Sequence, residues 1–105
     1  MSELTDINFD DNLNINSPLI TNLVIVYSNN CHRCTKLCQE LSTYNIKYSK
    51  INIDKNTSFK KKLSNILKLK ILSIPVVLLF NNNVFVKKIP NKFPPSIIYL
   101  EISNL

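Results

Sequence analysis

Cys31 and Cys34 are separated only by His32 and Arg33. The pair follows the apolar run Leu23-Val24-Ile25-Val26-Tyr27 and precedes a stretch with helical spacing; a C-x-x-C at such a strand-to-helix junction reads first as a dithiol/disulfide redox site. Only a thiolate attacks a disulfide, and a free cysteine with a pKa of about 8.5 is mostly protonated near neutrality. Cys31 sits where that balance shifts. The unpaired N–H groups and partial positive charge of a helix N-terminus favour the thiolate, and His32 and Arg33 add donors or positive charge beside it. The sequence therefore predicts a Cys31 pKa below the free value, with Cys31 attacking a substrate disulfide and Cys34 resolving the mixed disulfide that results.

The same thiols suit a second class of function. With Cys38 and His32 they offer soft ligands to zinc or an iron–sulfur cluster, but structural zinc usually takes four ligands from separated pairs and one C-x-x-C is present. No metal or cofactor is expected. Cys38 falls one helical turn after Cys34 on the apolar side and reads as a buried structural thiol.

Size and composition bound the rest. A chain of 105 residues and 12.1 kDa is expected to form one domain over residues 1–105. Hydrophobic content of 45% with 19% charged residues is ordinary for a soluble protein, and no apolar run approaches the roughly 20 residues that span a bilayer, so no membrane role is expected. Met1-Ser2-Glu3-Leu4-Thr5-Asp6 lacks the basic and apolar regions of a secretory signal, which makes the reducing cytoplasm the expected compartment. The net charge of +6 is uneven: Glu3, Asp6, Asp10 and Asp11 precede Asn30, and the bases follow Cys31. These lysines are not interleaved with arginines and aromatics as in nucleic-acid readers, so they read as a solvated face and no nucleic-acid partner is expected. A monomer is expected.

The elements that must position the cysteines follow from periodicity. Leu4, Ile7 and Phe9, then Asp10-Asp11-Asn12-Leu13, read as a short strand leading into a short helix or turn. Turn residues around Ser17-Pro18 lead into a strand over Leu23 to Ser28, aliphatic throughout as a central strand covered on both faces should be. After Cys34, the residues Leu37, Cys38, Leu41 and Tyr44 share one helical face, and Tyr44-Asn45 ends the helix. Lys47 to Ile53 alternates as a second strand. Thr57 or Ser58 is placed to cap a helix with the apolar stripe Phe59, Leu63, Ile66 and Leu67. Val76 to Phe80 reads as a buried strand turned by Asn81-Asn82-Asn83 into Val84 to Ile89. The chain has no glycine, so asparagine must serve turns that need positive φ. Pro94-Pro95 opens a closing helix whose inward face is Ile98, Ile102 and Leu105.

In this order and spacing the residues resemble the thioredoxin family, thioredoxin-like and glutaredoxin-like proteins together, over nearly the whole chain. Leu4-Thr5-Asp6 with Phe9-Asp10 resembles the first strand and helix, Cys31-His32-Arg33-Cys34 the active-site motif, and Ile51-Asn52-Ile53-Asp54 the end of the strand after the active-site helix. Ser73 to Phe80 is similar to the cis-proline loop and the strand after it. The resemblance implies an α/β thioredoxin fold, with a central mixed sheet of four to five strands flanked by helices. It also implies an exposed Cys31, a more buried Cys34 and a cis Ile74–Pro75 bond. Pro75 would hold a substrate backbone beside Cys31, with Asn30, Ile74, Pro90 and Asn91 as the surrounding rim. Lys50 matches the family's lysine that assists proton transfer, while Ile25 stands where a buried carboxylate is usual, Asn30 where a tryptophan is usual, and Pro90-Asn91 near a usual glycine.

The implied activity is thiol–disulfide exchange on protein disulfides, with glutathione or a flavoprotein reductase supplying electrons. His-Arg between the cysteines should make the couple more oxidising than thioredoxin's, at about −270 mV. The alternative within this fold is a redox-inactive interaction module whose basic rim docks an acidic partner.

Overall fold

The computed structural model describes residues 3–16, 21–68, 73–90 and 92–105. The Ser17-Pro18 turn and Asn91 lie outside the described residues. Strand β1 (Glu3–Leu4) and a 3-10 turn over Asp6–Asn8 are followed by β2 (Leu23–Tyr27), α1 (His32–Thr43), β3 (Ser49–Asn52) and α2 (Thr57–Leu67). Strands β4 (Val76–Asn81) and β5 (Val84–Ile89) and helix α3 (Pro95–Ser103) complete the order. The five strands form one mixed sheet in the order β1-β3-β2-β4-β5, parallel on the β1 side of β2 and antiparallel beyond it.

The aliphatic run of β2 is explained by its two covered faces. Val24 and Val26 join Ile51, Val76, Leu78 and Phe80 in a core under α2, where Phe59 and Leu63 are fully buried. Leu23 and Ile25 join Val77, Leu79 and Ile89 in a second core under α1 and α3, closed by Leu41 and Ile98. A strand at the centre of a two-sided sheet has no face left for polar residues. At the far edge, β5 leaves Val84 and Val86 exposed and buries Ile89.

Asparagine does replace glycine in the turns. Asn82 and Asn83 have φ of 51° and 69°, so both central residues of the β4–β5 hairpin are left-handed, as a twist-matched two-residue turn requires. Asn45 takes the same conformation after α1. Two helix faces differ from expectation. Tyr44 and Leu105, read as inward, are 59% and 42% exposed, because each falls at or beyond the last turn of its helix, where the sheet no longer lies beneath it.

The start of α2 also differs. Its N-cap is Asn56 rather than Thr57 or Ser58, and the Asn56 side chain makes no cap hydrogen bond. Asp6 supplies the cap from 53 residues away, its Oδ1 accepting the Phe59 N–H at 2.6 Å. In return the Asp6 N–H donates to Asn56 Oδ1 at 3.0 Å. A carboxylate on free N–H groups at a helix N-terminus satisfies donors and complements the helix dipole. Asp6→Ala is therefore expected to lower unfolding stability by about 1 kcal/mol, read as an earlier midpoint in urea denaturation, whereas Thr57→Ala should change it little.

Candidate active site

The β2–α1 junction is held from below by side chains of β3 and the loop after it. The Ile53 N–H donates to the Tyr27 carbonyl at 2.8 Å, extending the β2–β3 ladder past its last paired residues. Asn52, 5% exposed, donates from Nδ2 to Asn29 Oδ1 at 3.0 Å and accepts the Asp54 N–H at 2.9 Å. Asp54 in turn accepts the Asn29 N–H at 2.7 Å. Asn30 then reverses the chain with φ 57°, and Cys31 becomes the N-cap of α1.

At that cap the Cys31 Sγ accepts the Cys34 N–H at 3.2 Å, and the two cysteines are joined in a disulfide with Cα atoms 5.3 Å apart. Cys31 is half-buried and Cys34 is 3% exposed. The sulfur nearer solvent thus sits on the free N–H groups at the helix start, and the other lies beneath it.

Two grooves flank α1. One, of about 910 Å³, holds Asn30, Cys31, His32, Cys34, Cys38 and Lys50 in its lining. The other, of about 280 Å³, holds Arg33, Lys36, Pro75, Lys92 and Phe93. His32 and Arg33, both exposed, therefore face different grooves. The Ile74–Pro75 bond is cis, and Pro75 is buried at the start of β4, beside the end of β2 through the Val26–Val76 pairing. Topology thus brings Pro75 to the same sheet end as Cys31, and Pro75 lines the smaller groove with Arg33. Ile74 is half-buried against the core under α2. Pro90 is exposed, its carbonyl accepting the Phe93 N–H at 3.1 Å, and it lines neither groove. Among the described residues no three His, Cys, Asp or Glu side chains come together as a metal site.

Lys50 pairs in register with Ile25 and places its Nζ 5.2 Å from the centre of the Tyr27 ring. The Tyr27 hydroxyl donates to both carboxylate oxygens of Glu3 at 3.0 Å, and burial followed by that acid raises its pKa. Cys38, expected to be buried, is half-buried and lines the larger groove. Tyr48 is the residue the sequence did not single out here. Burial first, then its hydrogen bond with Cys38 and the charge there, push its hydroxyl up to about 12, with Ser42 acting in the opposite direction. The available signal was the two-residue period of β3, which puts Tyr48 on the same face as Lys50.

The sequence profile of the glutaredoxin family, "Glutaredoxin", matches residues 23–86. The chain belongs to the glutaredoxin family. No curated protein matches it. Oxidised mitochondrial thioredoxin 3 from Saccharomyces cerevisiae superposes with a TM-score of 0.64 at 14% identity, over 100% of this chain and 95% of that one. A structure described as a malarial protein gives 0.59 at 19% identity, over 78% and 92%. Fasciola hepatica thioredoxin gives 0.58 at 12%, over 78% and 77%. At such identities these likenesses show the fold, which is the thioredoxin fold, with a glutaredoxin-family sequence on it and a C-x-x-C pair at the start of α1. Such a pair in this family is of the thiol–disulfide redox kind.

Two outcomes are expected from this geometry. Tyr48 has a folded-state pKa above its unfolded value of about 10, so its contribution to stability is intact below pH 10 and is lost as pH rises towards 12. Spectrophotometric titration should show one tyrosine ionising near 12 that is missing in Tyr48→Phe. Asn52→Ala leaves Asn29 Oδ1 and the Asp54 N–H without their partner and should cost about 1–3 kcal/mol in chemical denaturation.

Proposed function

We propose that this glutaredoxin-family chain is a thiol–disulfide oxidoreductase that reduces protein disulfides through the Cys31–Cys34 couple. The observation that carries the reading is the placement of Cys31: N-cap of α1, its Sγ on the Cys34 N–H, at the wall of an open groove, with Cys34 bonded to it and buried below. An N–H pointing at the sulfur and the dipole behind it favour the thiolate.

In the dithiol state, the Cys31 thiolate attacks one sulfur of a substrate disulfide. A Cys31–substrate disulfide forms and the other substrate sulfur leaves as a thiolate that takes a proton. Cys34 then loses its proton and attacks the Cys31 sulfur, closing the Cys31–Cys34 disulfide and releasing the second substrate sulfur. Two electrons and two protons have passed from the dithiol to the substrate. The dithiol is restored when a monothiol of the glutathione class attacks the disulfide and a second monothiol completes the exchange, leaving as its own disulfide. A flavoprotein reductase would deliver the same two electrons. A structural neighbour described in connection with thiol resolution in a yeast mitochondrial 1-Cys peroxiredoxin is tied there to "glutathione/thioredoxin systems", a chemistry this couple would share.

His32 and Arg33 each lend positive charge or donors near Cys31 from opposite grooves, and Lys50 lends a cation to the larger one. Asn30 sets the turn that aims Cys31. Pro75, with Ile74 behind it, bounds the substrate's path at the sheet end. A reducing compartment such as the cytoplasm fits a chain that keeps a free thiol, Cys38, beside its redox pair.

Cys31→Ser should abolish reduction of a protein disulfide such as insulin's, and Cys34→Ser should stall as a mixed disulfide through Cys31, seen by mass spectrometry as protein plus substrate thiol. Turnover by Cys31→Ser at the wild-type rate would remove the reading. The pH midpoint for alkylation of Cys31 in the reduced protein should fall below the free-thiol value of about 8.5.

A further inference from the structure

The smaller groove sets three cations against one carboxylate on an otherwise apolar lining. Arg33 and Lys36 lie one turn apart on α1, and Lys92 faces them from the segment before α3; all three are exposed. Leu37 and Phe93, half-buried against the core, give the groove an apolar floor, and Pro75 bounds it. One carboxylate, Glu40, lines it, a helical turn beyond Lys36 and away from the disulfide.

The other six side-chain carboxylates are engaged elsewhere. Glu3 accepts from Tyr27, Asp6 caps α2, Asp10 accepts the Asn12 and Asn14 N–H groups, Asp11 faces Lys62, Asp54 holds Asn29, and Glu101 pairs with Lys87. Arg33, Lys36 and Lys92 take part in neither ion pair found among the described residues. With the chain at +6 overall, three cations outside those ion pairs, against the single carboxylate of Glu40, form a net-positive surface beside an apolar floor that favours negative charge.

Its position says what that charge belongs to. Arg33 is two residues from Cys31, so the groove begins beside the disulfide and runs away along α1. At about 280 Å³ it takes a few side chains of an extended segment, not a folded element. Resting on the oxidoreductase reading above, we infer that this groove selects protein substrates whose disulfide is flanked by an acidic segment. That segment lies along Arg33, Lys36 and Lys92 with its apolar atoms on Phe93, while the disulfide itself meets Cys31.

The test uses disulfide peptides of equal length whose flanks are glutamates, glutamines or lysines. The reduced wild-type protein should reduce the glutamate peptide with a kcat/KM about tenfold above the lysine peptide at low ionic strength. That ratio should collapse at about 0.5 M salt. K36E/K92E should lose or reverse the ratio, and K36Q/K92Q should reduce it, while a small glutathione mixed disulfide is turned over with no comparable change between wild type and variants. Equal rates on the three peptides, or a preference that survives both salt and K36E/K92E, would overturn the docking proposal alone. So would an equal loss on the glutathione mixed disulfide, which would make the groove a glutathione site. Failure of the wild type to reduce any peptide would overturn the oxidoreductase reading and this inference with it.

Discussion

A buried asparagine fixes the place where the cysteines can work. Asn52 reaches across from β3 to hold Asn29, and its backbone carbonyl accepts Asn56 Nδ2–H at 2.7 Å. Asn56 is in turn bonded to Asp6, which caps α2. A single chain of polar contacts therefore links the 3-10 turn, the start of α2, the end of β3 and the loop entering α1. Buried polar groups are costly when unpaired, so this chain is satisfied as a whole or not at all. Its effect is to give the β2–α1 turn one conformation. The helix start, and the sulfur on it, then have one position relative to the sheet.

Given that turn, α1 divides the surface at the sheet end in two. The disulfide, His32, Cys38 and Lys50 line one side, and Arg33, Lys36 and Pro75 the other. The division follows from helical geometry: adjacent residues point about 100° apart, so His32 and Arg33 cannot share a face. A motif that reads as one cluster in sequence is thus split between a thiol-bearing groove and a basic one. The two intervening residues then have separate electrostatic neighbourhoods, one shared with Lys50, the other with Lys36, Lys92 and Glu40.

What was legible in the sequence was what depends on local period and local turns. The aliphatic runs of β2 and β4 announced two covered faces, the stripe of Phe59, Leu63, Ile66 and Leu67 announced the inner face of α2, and the paired asparagines announced the hairpin. What escaped was decided by distant partners. Thr57 has the right chemistry for a cap and loses the role to Asp6, because tertiary folding delivers a charged acceptor to the same N–H groups. Tyr48 looked like one more strand residue until the one-turn spacing of Cys38 and Ser42 on α1 placed both beside its hydroxyl.

Where the resemblance to the thioredoxin family implies a buried carboxylate, this chain has Ile25. Ile25 is fully buried and is the register partner of Lys50, so the ion pair that the family resemblance implies across β2 and β3 has lost its acidic half. The ammonium that remains turns instead towards the face of Tyr27, whose hydroxyl is itself committed to Glu3. A cation over an aromatic ring is partly compensated without a counter-charge. No side-chain carboxylate lines the larger groove beside Cys34. On the oxidoreductase reading, a proton leaving Cys34 has no carboxylate of that groove to receive it.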